Sequence, residues 1–131
     1  MLCRFAYGEF LSMDESIQSI GEPIVAICIN GSYEDERNSR DVYKCTRGTW
    51  KVNRSRVDKA RYAFGVYHGK ILEVFEIDKW VPAGTSPKSF GPAPGRHEFI
   101  GRIAPDKIRD KYVGKRLPDR FWGFPIRYYN C

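Results

Sequence analysis

The densest set of groups able to act on a ligand lies in nine consecutive residues, Tyr43-Lys44-Cys45-Thr46-Arg47-Gly48-Thr49-Trp50-Lys51. Arg47 has the planar fork that grips phosphate or a base edge. The Trp50 indole offers a flat surface for a base, worth about 1–3 kcal/mol per stacked base. Gly48 between them lets backbone approach a ligand closely. An equally good reading keeps Trp50 in the core and Arg47 as a surface charge, because Trp is usually largely buried whatever its role.

A second group is the aromatic tail Phe121-Trp122-Gly123-Phe124-Pro125-Ile126-Arg127-Tyr128-Tyr129, interleaved with Arg120 and Arg127. Aromatics alternating with cations suit single-stranded or flipped-out bases. Alternate positions of a terminal strand must face the core, however, which assigns Phe124, Ile126 and Tyr128 or Tyr129 to structure. A third group is cationic: Arg102, Lys107, Arg109, Lys111, Lys115 and Arg116, partly neutralised by Asp106 and Asp110. Lys107, Lys111 and Arg116 are the expected phosphate contacts, of the kind that position a nucleic acid without reading it. The other reading is a solvated face.

The catalytic inventory is thin. There are two histidines, His68 and His97, with no paired motif around either. Glu73, Glu76 and Asp78 alternate on a strand, where a wet face explains them better than a general base does. No Walker A loop, dinucleotide fingerprint or serine-hydrolase elbow is present. Cys3, Cys28, Cys45 and Cys131 lie far apart without zinc-site spacing, so neither metal nor cofactor is expected and reduced thiols are the default. Binding is favoured over catalysis.

The elements that must position these groups follow from apolar patterning. Residues 12–20 read as a short capped helix stopping at Gly21, within an N-terminal segment spanning 1–23. The run Ile24-Val25-Ala26-Ile27-Cys28-Ile29, closed by Asn30-Gly31-Ser32, predicts a central strand buried on both sides and ended by a turn. Residues 34–41 read as an exposed loop. A helical turn over 55–60 faces Val57 and Ala60 inward. The span 61–78 predicts a hairpin turning at His68-Gly69. Four prolines and three glycines between Val81 and Gly95 predict a long loop. A strand over 96–103, a helix after Pro105 ending at Gly114, and a last strand from Ile126 complete the chain. The fold class expected is α+β, with a small curved antiparallel sheet or open barrel and two or three short helices.

Length and charge set the frame. A chain of 131 residues, 42% apolar and 15% aromatic, suits a single domain over 1–131 with one core. Residues 1–43 carry three Lys/Arg against eight Asp/Glu and residues 44–131 nineteen against eight, so the two parts are about −5 and +11. Such a field steers a polyanion toward one face. The N-terminus lacks a signal peptide's apolar run and no stretch approaches spanning length, which predicts a cytoplasmic protein without a membrane partner.

The order Ile27-Cys28-Ile29-Asn30-Gly31-Ser32-Tyr33, Thr46-Arg47-Gly48-Thr49-Trp50, Ala63-Phe64-Gly65-Val66-Tyr67-His68-Gly69, Val74-Phe75-Glu76-Ile77-Asp78-Lys79-Trp80, Arg96-His97-Glu98-Phe99-Ile100-Gly101, Tyr112-Val113-Gly114-Lys115 and Tyr129-Asn130-Cys131 covers residues 24–131. It resembles an uncharacterised bacterial and phage domain family with a PUA-like, EVE/ASCH-like fold, sometimes found with GIY-YIG-type nucleases. The chain departs from that pattern at Arg116-Leu117-Pro118-Asp119. The resemblance implies an RNA- or modified-base-binding barrel and points to Asn30, Ser32, Arg47, Trp50, Lys115 and Asn130 as ligand-binding positions. The function expected is a DNA- or RNA-binding module reading a modified or flipped base in an aromatic/Arg pocket. The alternatives are a small nuclease or nucleotide-processing enzyme, and a phage or defence protein-interaction factor.

Overall fold

The computed structural model describes residues 17, 19–34, 41–85, 91, 93–118 and 124–131. Its elements run β1 (Ile24–Cys28), α1 (Asn30–Glu34), α2 (Val42–Arg47), β2 (Gly48–Trp50), α3 (Arg54–Val57), β3 (Tyr62–Tyr67), β4 (Lys70–Pro82), β5 (His97–Ile103), α4 (Asp106–Tyr112) and β6 (Ile126–Tyr129). The strands form one curled half-barrel sheet in the order β2-β5-β4-β3-β1-β6, with the short helices around it, which is the α+β class the patterning predicts.

β1 is the central strand its sequence demands. Ile24, Val25, Ala26 and Ile27 are fully buried, so both faces of the strand need cover. One face packs Ile24 and Ala26 with Phe64, Val74, Tyr112 of α4 and Leu117. The other packs Val25 and Ile27 with Ala63, Phe75, Phe99, Cys45 of α2 and Val57 of α3. Gly65 makes the second layer close: a Cβ there would sit 2.5 Å from Thr46 Oγ1, so only glycine lets α2 lie this near β3.

The sheet departs from the purely antiparallel arrangement expected. β1 pairs with β3 in parallel, Ile24 opposite Tyr62 through Cys28 opposite Val66, while the other ladders are antiparallel. Parallel neighbours need a crossover, and α1, α2, β2 and α3 supply it. Alternating burial leaves strand direction unread, which is why the sequence is silent on this point.

The β3–β4 hairpin turns at His68-Gly69, where both φ values are positive (49 and 81) as a two-residue primed turn requires. Val57 of α3 and Ala60 just beyond it turn inward as predicted, and Asn53 caps the helix, its side chain accepting from Arg56 N. α4 follows Pro105, packs Ile108 and Tyr112 on one face and stops at Gly114, φ 87. α1 replaces the turn predicted at Asn30-Gly31-Ser32. β4 extends through Val81 and Pro82, shortening the predicted 81–95 loop, of which 86–90 and 92 lie outside the described residues. Residues 35–40 of the predicted 34–41 loop lie outside them too. Of the helix predicted over 12–20, Ile17, Ser19 and Ile20 are described and none is helical. Among the described residues no helix is long and apolar enough to cross a membrane.

A polar knot closes the α4 side. Glu22 accepts from Lys111 Nζ at 2.7 Å and from the Tyr112 hydroxyl. Burial works to raise the Glu22 carboxyl, but the hydrogen bonds from Lys111 and Tyr112 outweigh it and hold it below its ordinary range. Burial and the hydrogen bond to Glu22 push the Tyr112 phenol up to about 12. The depressed Glu22 contributes stability present above its unfolded value of 4.5 and lost as pH falls through its folded value. The raised Tyr112 contributes stability intact below 10.0 and lost as pH rises toward about 12. Urea unfolding from pH 3 to 12 should therefore show an alkaline decline beginning near pH 10 that Tyr112→Phe flattens. An unchanged decline in the variant would remove Tyr112 as its source.

Candidate nucleic-acid interface

The Arg47-Gly48-Thr49-Trp50 segment straddles the end of α2 and the edge strand β2, and its charge turns inward. Arg47 is 3% exposed and donates through Nη2 to Glu98 Oε2 at 3.2 Å; Glu98 is 1% exposed. Glu98 Oε1 also accepts from Gly84 N at 3.1 Å, joining α2, β5 and the start of the β4–β5 connection through one carboxylate. The Tyr43 ring lies under the guanidinium at 5.6 Å. Gly48 makes room for the opposing β5 strand, since a Cβ there would stand 2.6 Å from Glu98 Cβ. Trp50 is half-buried and donates from Nε1 to Thr46 O at 2.8 Å, pinning the indole to α2. Arg47 and Trp50 are thus both engaged in contacts within the fold, with Glu98 and with Thr46.

The other expected ligand positions are spread over the molecule. Asn30 Oδ1 accepts from His68 N at 2.8 Å and so holds the hairpin turn against α1. Ser32 is half-buried on α1. Asn130, at φ 60, donates from Nδ2 to Ile20 O and Glu22 O at 2.7 and 3.0 Å, tying the C-terminal segment to the residues before β1. Lys115 is half-buried beyond α4, its carbonyl accepting from Ile71 N. Of the aromatic tail, Arg120, Phe121, Trp122 and Gly123 lie outside the described residues.

Of the expected phosphate contacts, Lys107 is exposed on α4, Lys111 is held by Glu22, and Arg116 Nη1 donates to His68 O at 3.0 Å. Two neighbouring cations are neutralised, as Lys111 is. Arg109 forks onto Glu73 at 2.7 and 3.1 Å, and Arg102 bonds Glu76 at 2.9 Å and also Asp78. The carboxylates on β4 are thus bound in ion pairs, Glu73 with α4 and Glu76 and Asp78 with β5, at a face where Asp78 and Arg102 remain exposed.

Uncommitted positive charge lies elsewhere, around α3. A groove of about 520 Å³ runs between α3 and the end of β4, with Val57, Ala60, Ile77 and Trp80 in its walls and Arg54, Lys59, Arg61 and Lys79 along it. Asp58 and Asp78 are the acids present, and Asp58 is taken by Arg54 at 3.2 Å. Lys51, Lys59, Arg61 and Lys79 are exposed and form no ion pair among the described residues. On the far side of α3, Arg56 lies over the Tyr128 ring at 4.3 Å and donates from Nε to Cys131 O at 2.9 Å. Burial pushes the Cys131 thiol up, and nearby Arg56 and Lys59 only partly oppose it. Apolar patterning over 55–60 picks out the inward residues of this turn and misses its outward ones, basic at 54, 56, 59 and 61.

Chemically, the arrangement offers exposed guanidinium and ammonium groups beside an apolar-walled cleft, a surface for polyanions. Comparison with known proteins yields no matching family model, no matching curated protein and no matching solved structure, so the likeness read from the sequence motifs rests on those motifs alone.

The buried pair generates a stability test. Removing one partner strands a buried charge, at a cost of about 3–5 kcal/mol. Arg47→Met should destabilise by roughly that amount in urea unfolding, and adding Glu98→Gln should recover at least about half of it. No recovery would mean that shape, not the stranded carboxylate, sets the cost.

Proposed function

We propose that this chain is a nucleic-acid-binding module whose phosphate-contacting surface is the basic face around α3. The observation that carries this reading is the partition of charge. On and beside α4, Arg102, Arg109 and Lys111 are taken by carboxylates and Lys107 is the exposed cation left without such a partner, whereas around α3 four cations, Lys51, Lys59, Arg61 and Lys79, stand exposed without an ion-pair partner among the described residues. Free cations release condensed counterions when they meet phosphates, and paired ones must first give up a carboxylate. The apolar groove walls beneath the cations suit the sugar and base portions of such a ligand. Likeness to PUA-like, base-binding barrels agrees with this reading and adds fold analogy only. On this reading Arg47 and Trp50 build the scaffold, and recognition lies on α3 and the strands flanking it.

Fluorescence anisotropy with labelled oligonucleotides at several salt concentrations tests the proposal. Binding should weaken steeply with salt. The Lys59→Glu/Arg61→Glu variant should bind at least about tenfold more weakly, with the salt slope reduced by roughly one for each phosphate no longer neutralised. Lys107→Glu on α4 should stay within about twofold of the parent. Equal effects from the two surfaces, or no salt dependence, would refute the assignment to α3.

A further inference from the structure

From the groove on the far side of α3 we infer that the ligand class is single-stranded, with one unpaired base stacked on Phe124. This inference rests on the reading just proposed and deepens it. The groove measures about 310 Å³ and is lined by Arg56, Phe124, Ile126, Arg127 and Tyr128. Its size is at the low end for small-molecule sites and matches a single nucleotide unit, not a duplex.

Phe124 is 76% exposed, more than any other large apolar side chain among the described residues. Core packing therefore does not account for it, contrary to the structural role its place beside the last strand predicts. Nor does it hang from a free segment, because Cys28 N donates to Pro125 O at 2.7 Å and anchors the next residue to β1. The groups beside it are fixed. Tyr128 accepts from Asn53 N at 2.9 Å, and Arg56 lies stacked on the Tyr128 ring and bonded to Cys131 O. An exposed ring next to an anchored stretch of backbone and beside an immobilised guanidinium gives a base a face to stack on.

Charge complementarity selects the occupant. Arg56 faces this groove while Lys59 and Arg61, just after α3, line the larger basic one, so a strand can cross α3 with phosphates on both sides. A paired base is stacked within its duplex and presents no face to Phe124, whereas an unpaired base does.

Anisotropy titrations of a thymine-only single strand of about 12 nucleotides and of a duplex of equal length test this. The proteins compared are the parent, Phe124→Ala, Phe124→Trp and Lys59→Glu/Arg61→Glu, with thermal melts confirming that each is folded. The single strand should bind the parent more tightly than the duplex. Phe124→Ala should lose roughly tenfold or more on the single strand with duplex affinity and salt slope unchanged, and Phe124→Trp should restore binding. If Phe124→Ala binds like the parent while the charge reversal abolishes binding, the stacking site is refuted and the basic face stands. A parent that prefers duplex also refutes the inference. If the parent binds neither nucleic acid, both readings fall together.

Discussion

The constraint on which the architecture depends is the two-sided burial of β1. Four consecutive side chains with no solvent exposure cannot be satisfied by one layer, so the sheet must be covered on both faces. That requirement sends α1 to α3 to one side and α4 to the other, and it sets the topology. The chain leaving β1 is spent on the first cover before it returns as β3, which then lies parallel to β1. β6 seals the remaining edge of β1, and the last residues of the chain come to rest beside α3. The candidate surface exists because a short cover helix and a short edge strand meet there.

Within that frame the Arg47–Glu98 pair acts as an internal brace. A buried ion pair contributes little net stability, because desolvation offsets most of the attraction, yet it penalises any packing that separates the two charges. Here the carboxylate also receives Gly84 N, so displacement of α2, β5 or the β4–β5 connection exposes an unsatisfied group. The guanidinium Nε, the Trp80 indole nitrogen and His97 Nδ1 are buried without hydrogen-bond partners among the described residues. These atoms cluster around β2, the end of β4 and the start of β5, marking this corner as the polar part of an otherwise apolar interior.

Much of the local structure was legible because its signals are short-range. The β1 run, the His68-Gly69 turn and the Pro105-to-Gly114 helix each depend on neighbours a few residues away. α1 and α2 were not legible: Asn30-Gly31 has turn composition, and six residues from Val42 to Arg47 are too few to establish a helical period. The site was less legible still. Whether Arg47 meets phosphate or carboxylate is decided by Glu98, 51 residues away, and whether Lys111 is free is decided by Glu22, 89 residues away. Sequence composition counts charges but does not pair them.

Pairing is what converts a basic sequence into a directional surface. On the α4 side Arg109 reaches Glu73 from the helix, and Arg102 on β5 lies opposite Glu76 on β4 and also takes Asp78, so the field is cancelled locally. Around α3 the neighbouring strand offers Asp78, which is already engaged by Arg102 on β5. Asp78 is thus engaged through the register of β4 on β5, and Asp58 is taken by Arg54, so neither acid of the groove is left to neutralise Lys59, Arg61 and Lys79. Because the Arg102 ion pairs follow from register, the excess positive charge on the α3 flank is a consequence of the fold as much as of the composition.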